Sequence, residues 1–250
     1  MLKSPNNTFQ GTIFACTAAA LGGSTFVFTR LILPSLDPYL LCFVRYLSIL
    51  IVLICFCGLG FLFKKYETGD IFKLIFLGVI YFGGFPIFVA LGLETTNASN
   101  ASLVFATMPI WTVLLSFVFK LEKMTNIKQF SVVMACSGVY FAVGDNSEVS
   151  QLSNLSGNLM VILGAICASF FTAFSGSFIE KYGNLPVLII TLLSGVITMF
   201  VLMLIFGENI SNLLNLDYEL WGTIAFLVFP GGAMMMLSWV RALELLKPVH

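Results

Sequence analysis

The sequence predicts an all-α integral membrane protein built as an inverted repeat of five-helix units. A ten-helix fold is expected, of which about eight spans lie in these 250 residues. Three observations predict it: long unbroken apolar runs, scarcity of charge, and a pattern that returns after about 150 positions. Hydrophobic residues make up 59% of the chain and charged residues 10%, against roughly 25% charged in an ordinary soluble domain. A water-facing surface this apolar would aggregate, whereas a bilayer accepts it. The net charge of zero lacks the basic footprint that nucleic acid requires, so no nucleic-acid partner is expected. All six cysteines fall inside apolar runs with no CxxC pair and read as small packing residues.

A spanning helix needs about 20 apolar residues to cross about 30 Å of hydrocarbon. Eight runs meet that description, at 11–33, 38–61, 71–93, 97–119, 127–143, 157–179, 186–206 and 220–240. Backbone groups in lipid must bond internally, and continuous runs fit helices rather than the alternating strands of a barrel. The first run follows a polar stretch with only Lys3 and lacks a small-residue cleavage site, so it reads as a retained span. The second opens at Pro38 behind Asp37. The fourth opens at Asn97, and its two Asn-Ala-Ser triplets, at Asn97 and Asn100, read as chance matches at a helix start. The fifth is the shortest. The longest connection, 145–156, is polar and marks the seam between a first repeat over 1–145 and a second over 157–250.

Basic residues set orientation. With the N-terminus in the cytoplasm, the inner segments hold Lys3, Lys64, Lys65, Lys73, Lys120, Lys123, Lys128, Lys181, Arg241 and Lys247, and the outer loops hold none. Glu94 and Glu244 stand 150 positions apart in Ala-Leu-x-x-Glu and Ala-Leu-Glu settings, Pro38 and Pro186 stand 148 apart, and Gly11 and Gly157 stand 146 apart. Five spans per copy make the second copy cross the membrane in the opposite sense. That is the logic of secondary transporters, with solute held near the midplane between copies. The same offset sends the counterparts of spans four and five to 248–294, beyond His250. The second repeat is therefore expected to be incomplete, with three spans and the start of a fourth.

Several stretches carry a family likeness. They are Gly23-Ser24-Thr25-Phe26-Val27 in span one, Pro38 through Arg45-Tyr46 in span two, Asn97-Ala98-Ser99-Asn100 and Met108-Pro109-Ile110-Trp111 in span four, Leu121-Glu122-Lys123 after it, and Arg241-Ala242-Leu243-Glu244 at the far end. Together they resemble the drug/metabolite transporter superfamily, in particular its EamA-type repeat. Gly22 departs from the tryptophan common in the family, and Lys120-Leu121-Glu122 lacks the usual glycine before glutamate. The resemblance implies a ten-span fold in the cytoplasmic (inner) membrane with both termini inside. It also implies outward transport of amino acids, related metabolites or drugs.

The expected function is thus a secondary transporter that exports amino acids or related small metabolites by alternating access. The alternative is a truncated, non-transporting membrane fragment or interaction protein. An intramembrane enzyme is disfavoured, because the spans hold no HExxH, GxSxG or paired aspartates. No catalytic residue, metal or cofactor is expected. The expected partners are a small-molecule solute and the lipid bilayer, with a homodimer left open.

Arg45 is the sharpest candidate, since a charge inside a span should face a cavity or a partner. It could clamp a carboxylate or simply tie helices together. Ser24, Thr25, Tyr81, Asn100, Ser169, Thr172 and Trp239 are candidate lining groups for an aromatic-walled cavity, or equally packing groups between helices. Glu94 and Glu244 are candidate gating carboxylates or wet helix ends. Arg30 reads as snorkelling or pairing with Asp37. Gly83-Gly84-Phe85-Pro86 and Pro230-Gly231-Gly232 could mark bends or relieve packing.

Overall fold

The protein is described here by a computed structural model covering residues 5–58, 64–121, 130, 133, 134, 137, 138, 152–207, 213 and 216–246. Ten α-helices are found among them: α1 (Pro5–Ile32), α2 (Pro38–Cys57), α3 (Thr68–Gly78), α4 (Phe85–Thr95), α5 (Ala98–Phe105), α6 (Met108–Val118), α7 (Leu152–Tyr182), α8 (Asn184–Phe206), α9 (Tyr218–Val228) and α10 (Met235–Leu246). No strand occurs among the described residues. They form seven helices long and apolar enough to span a membrane. The predicted run at 127–143 lies almost wholly outside the described residues.

Local chemistry sets the ends. Pro38 opens α2 at a position where no amide donor is needed, and the Asp37 carboxylate caps it by accepting from Leu40 N at 2.9 Å. Helix α2 stops at Gly58, with φ of +72°, short of the predicted 61; a left-handed glycine closes the helix there. Asn97 caps α5 by accepting from Asn100 N at 2.7 Å. A single residue, Gly183 with φ of +88°, turns α7 into α8, a backbone that favours glycine. Helix α7 begins at Leu152. Part of the predicted connection 145–156 is therefore helical, because its Leu-Ser-Asn-Leu-Ser stretch continues the helix N-terminally.

Three predicted spans are broken helices. Span four bends at Ala106–Thr107, between α5 and α6. Pro109 cannot donate to Phe105, and its ring crowds that carbonyl. Spans three and eight each carry a six-residue π-helical turn, Val79–Gly84 joining α3 to α4 and Phe229–Met234 joining α9 to α10. Both turns start and end 150 positions apart. Each contains a double glycine, yet the prolines differ in place: Pro86 follows the first turn and Pro230 opens the second.

Packing crosses between the two parts of the chain. The most extensive contacts pair α1 with α10 and α4 with α7. The first π-turn packs on α8, and the second on α2. These pairs exchange under the same shift of about 150 positions. The core runs through Ile32, Leu40, Ile49, Leu93, Leu192 and Met199, all essentially inaccessible. Phe56, Phe72, Phe76, Leu204, Ile205 and Phe206 face outward, giving the apolar perimeter a bilayer covers.

Glycines allow the tightest crossings. A Cβ on Gly92 would lie 2.7 Å from the Gly157 carbonyl, and one on Gly157 would lie 3.0 Å from Thr96 N. Such small-residue contacts bring membrane helices close where no hydrophobic force between helices operates.

Candidate functional site

Among the described residues one charge is buried within the bundle. Arg45, on α2, is only 9% exposed. Its Nη1 donates to Thr29 Oγ1 of α1 and its Nη2 to the Gly231 carbonyl of the second π-turn, both at 3.4 Å. Its Cζ stands 5.2 Å from the centre of the Tyr46 ring, within cation–π range. Buried Nε has no hydrogen-bond partner. None of the salt bridges among the described residues includes Arg45.

Beside it stands an aromatic stack that joins four spans. Phe171 of α7 lies face to face with Tyr81 at 4.4 Å, Tyr81 with Phe85 at 5.5 Å, Phe85 with Phe105 at 5.1 Å, and Phe105 meets Phe26 of α1 at 5.5 Å. Tyr81 and Phe82 belong to the first π-turn, and Phe82 contacts Tyr46 edge-on at 5.9 Å. Arg45 and the stack thus connect through the neighbouring rings of Tyr46 and Phe82. Offset and edge contacts of this kind hold rings rigidly.

The remaining candidates divide by place. Thr25 is buried, with its hydroxyl donating to Gly22 O at 2.7 Å, and its methyl faces Gly231. Ser24 is half-buried and donates to Leu21 O at 2.7 Å. Asn100 is buried at the start of α5. Ser169 is fully buried and reaches Met108 O at 2.8 Å and Ala165 O at 2.7 Å, tying α7 to the bend of span four. Ser169→Ala is expected to cost about 1 kcal/mol of stability, the scale of an interhelical hydrogen bond in a membrane, read by thermal unfolding in detergent. Thr172 is exposed and bonds within its own helix, and Trp239 is 53% exposed. Neither is brought to Arg45.

The acids sit at helix ends. Glu94 is exposed, and Glu244 pairs with Arg241 at 3.0 Å on the surface of α10. Arg30 aims at the C-terminus of α4, donating to the Leu93 carbonyl and to the Glu94 carbonyl at 2.9 Å, not at Asp37, which is engaged as the α2 cap. A cation there satisfies orphan carbonyls and opposes the helix dipole. Arg30→Met is expected to destabilise by about 1.5 kcal/mol, in the range of hydrogen bonds to charged groups; equal unfolding of variant and wild type would contradict this role.

A second polar cluster lies where α7 ends against the start of α3. Lys181 pairs with Asp70 and Glu67, each at 2.7 Å, and Tyr182 donates to Asp70 at 2.8 Å. Lys64 donates to the Tyr182 carbonyl at 2.6 Å. Burial pushes the nearby Tyr66 hydroxyl above its ordinary pKa. An apolar groove of about 430 Å³ opens on the outer face between α3 and α8, lined by Tyr66, Ile71, Ile75, Val79, Ile190 and Thr198 among others. None of the sequence-predicted site residues lines it. Sequence reasoning missed Thr29, Tyr46, Phe171, Phe85 and Phe105. The double glycine at Gly231-Gly232 signalled a bend or packing relief in sequence, not a carbonyl offered to Arg45.

Comparisons with known proteins agree with this architecture. The EamA-like transporter family matches residues 9–144. The uncharacterized transporter YyaM of Bacillus subtilis (strain 168) is 25% identical over 172 residues, covering 68% of this chain and 56% of the relative. YdfC, an uncharacterized transporter of the same organism, is 30% identical over 149 residues, covering 58% of this chain and 47% of the relative. The chain thus spans about half the length of these relatives. A solved crystal structure aligns with a TM-score of 0.60 at 15% identity, covering 90% of this chain and 78% of that one; it shows the fold. With the family match extending over more than half of its length, this multi-pass membrane chain belongs to the EamA-like transporter family.

Proposed function

We propose that the protein moves a small solute across the membrane by alternating access between two inverted repeats, 1–145 and 157–250. The repeats bring two structurally equivalent bends to the centre of the bundle. One observation carries the reading: π-turns 150 positions apart, 79–84 and 229–234, each packed on a helix of the other half. A π-turn is a local insertion that lets a helix bend. Two equivalent bends, each braced by the opposite half, supply two near-equivalent packings of one bundle, one open to each side.

The solute class is amino acids or related small metabolites, and the direction is export. The buried guanidinium suits a carboxylate, and the Phe171–Tyr81–Phe85 stack suits an apolar side chain. The chain sits in the inner membrane with its N-terminus in the cytoplasm. The Lys64–Lys181 end of the bundle then faces inward, in keeping with the distribution of basic residues. The solute and the lipid are its partners, with no enzymatic step, and a homodimer is compatible with the apolar perimeter.

The test is counterflow of the twenty common radiolabelled L-amino acids in proteoliposomes of the purified chain. Saturable exchange of at least one is the expected result. Absence of exchange for all twenty would remove the amino-acid reading.

A further inference from the structure

Arg45 is the one charged side chain among the described residues that is buried. A guanidinium carries five N–H donors. Two are engaged here, both at 3.4 Å, and Nε faces no acceptor. The nearest acid along the chain, Asp37, is occupied in capping α2. An isolated charge in a low-dielectric interior is costly unless an opposite charge and well-formed hydrogen bonds meet it. Among the described residues no opposite charge meets Arg45, its two hydrogen bonds are both long, and the Tyr46 ring is its remaining polarisable neighbour.

The repeat sharpens the point. Positions 148 and 150 beyond Arg45 are Leu193 and Gly195. The second half packs its equivalent helix with no charge, so the arginine does not answer a packing need common to both halves. Its acceptor also matters. Gly231 lies inside the second π-turn, where Met235 N donates to the Pro230 and Gly232 carbonyls and passes over that of Gly231. Arg45 therefore reaches the bend of span eight at a carbonyl that Met235 N passes over.

We propose that Arg45 is a carboxylate anchor that doubles as a latch on the second π-turn. A carboxylate entering the bundle takes the two-pronged hydrogen bond that guanidinium geometry favours, and Arg45 leaves the Gly231 carbonyl to make it. The bend at 229–234 is then free to change while the anion is held. The link from latch to translocation rests on the transport reading above. The anion site stands on Arg45 alone.

The experiment measures thermal unfolding of the full chain in detergent with each of the twenty common L-amino acids, with their methyl esters, and with sodium acetate against chloride. At least one amino acid should raise the wild-type midpoint while its methyl ester does not. Arg45→Gln and Arg45→Met should abolish that rise, and Arg45→Lys should retain a smaller one. Without additive, both neutral variants should unfold at or above the wild-type temperature, because they remove an uncompensated buried charge. A purely structural arginine predicts the opposite. The proposal is overturned if acid and ester stabilise equally, if no carboxylate shifts the wild type, if Arg45→Gln keeps the shift, or if both neutral variants fail to fold. A carboxylate-dependent shift without counterflow leaves the anchor standing and removes transport. Counterflow unchanged in Arg45→Gln does the reverse.

Discussion

Gly78→Val is expected to prevent the bundle from assembling. A Cβ on Gly78 would overlap the Ser194 hydroxyl and the Thr191 carbonyl, and would lie 2.7 Å from Thr191 Cα. Two of these neighbours are backbone of α8, which cannot rotate away. Gly195 faces the same seam, where an added Cβ would lie 2.9 Å from the Phe82 carbonyl carbon. Opening the seam wide enough for valine forces α8 from α3 and the first π-turn, which are adjacent along most of their contact. Overpacking costs typically 1–3 kcal/mol and occasionally more; with backbone as the obstacle, about 3 kcal/mol or above is expected. Gly176, within α7, has no atom within 4 Å of an added Cβ. Gly176→Ala should be neutral or stabilise by roughly 0.5–1 kcal/mol, the intrinsic gain of alanine over glycine in a helix. Yield of monodisperse protein and unfolding midpoints in detergent read both. Wild-type behaviour of Gly78→Val would mean that α3 and α8 do not cross as described.

Tyr81→Ala should have the largest effect on transport, a fall in counterflow of more than tenfold. The ring is the middle of the stack, held between Phe171 at 4.4 Å and Phe85 at 5.5 Å, and it belongs to the first π-turn. Removing it leaves a void in the wall between α7 and α4 and unties the bend from span six. The stability cost is roughly 3 kcal/mol, the lower range for emptying a large aromatic position. Tyr81→Phe keeps the ring and deletes the hydroxyl. It should preserve stability. A selective loss of affinity in that variant would place the hydroxyl against the solute, and full activity would assign the residue to the wall alone. Counterflow of Tyr81→Ala equal to wild type in folded protein would remove the stack from the solute path.

Much of the architecture was legible before the structure. Seven of the eight apolar runs coincide with spanning helices, because the length and continuity of an apolar run follow from bilayer thickness. Asp37-Pro38 and Asn97 marked helix starts by local capping chemistry, which depends on a few neighbouring residues. The breaks were less legible. The bend of span four was not pointed to in sequence, although Pro109 removes a donor there. Gly83-Gly84-Phe85-Pro86 and Pro230-Gly231-Gly232 did mark the places of the two π-turns as bends, although Pro86 lies after one turn and Pro230 near the start of the other.

The candidate site was legible only in part. Arg45 stood out because an ionisable residue within a span is conspicuous whatever surrounds it. Thr172 and Trp239 were equally plausible as lining groups, yet they lie on the surface, because residue type does not reveal which side of a helix meets its neighbours. Ser169 reads identically to Thr172 in sequence, and it is buried on the bend of span four instead.

By itself the sequence determined the class, the spans, the family and the offset of about 150 between like positions. These depend on periodicity, on length and on the cost of exposing polar backbone to lipid, all of which act locally along the chain. Tertiary structure alone decided that α1 meets α10 and α4 meets α7, that four stacked rings and a fifth, tilted one join four spans, and that Arg45 reaches the carbonyl of Gly231, 186 positions away. Those outcomes depend on how whole helices rotate and approach, and that is set by glycine seams and ring packing acting together rather than by any one stretch of residues.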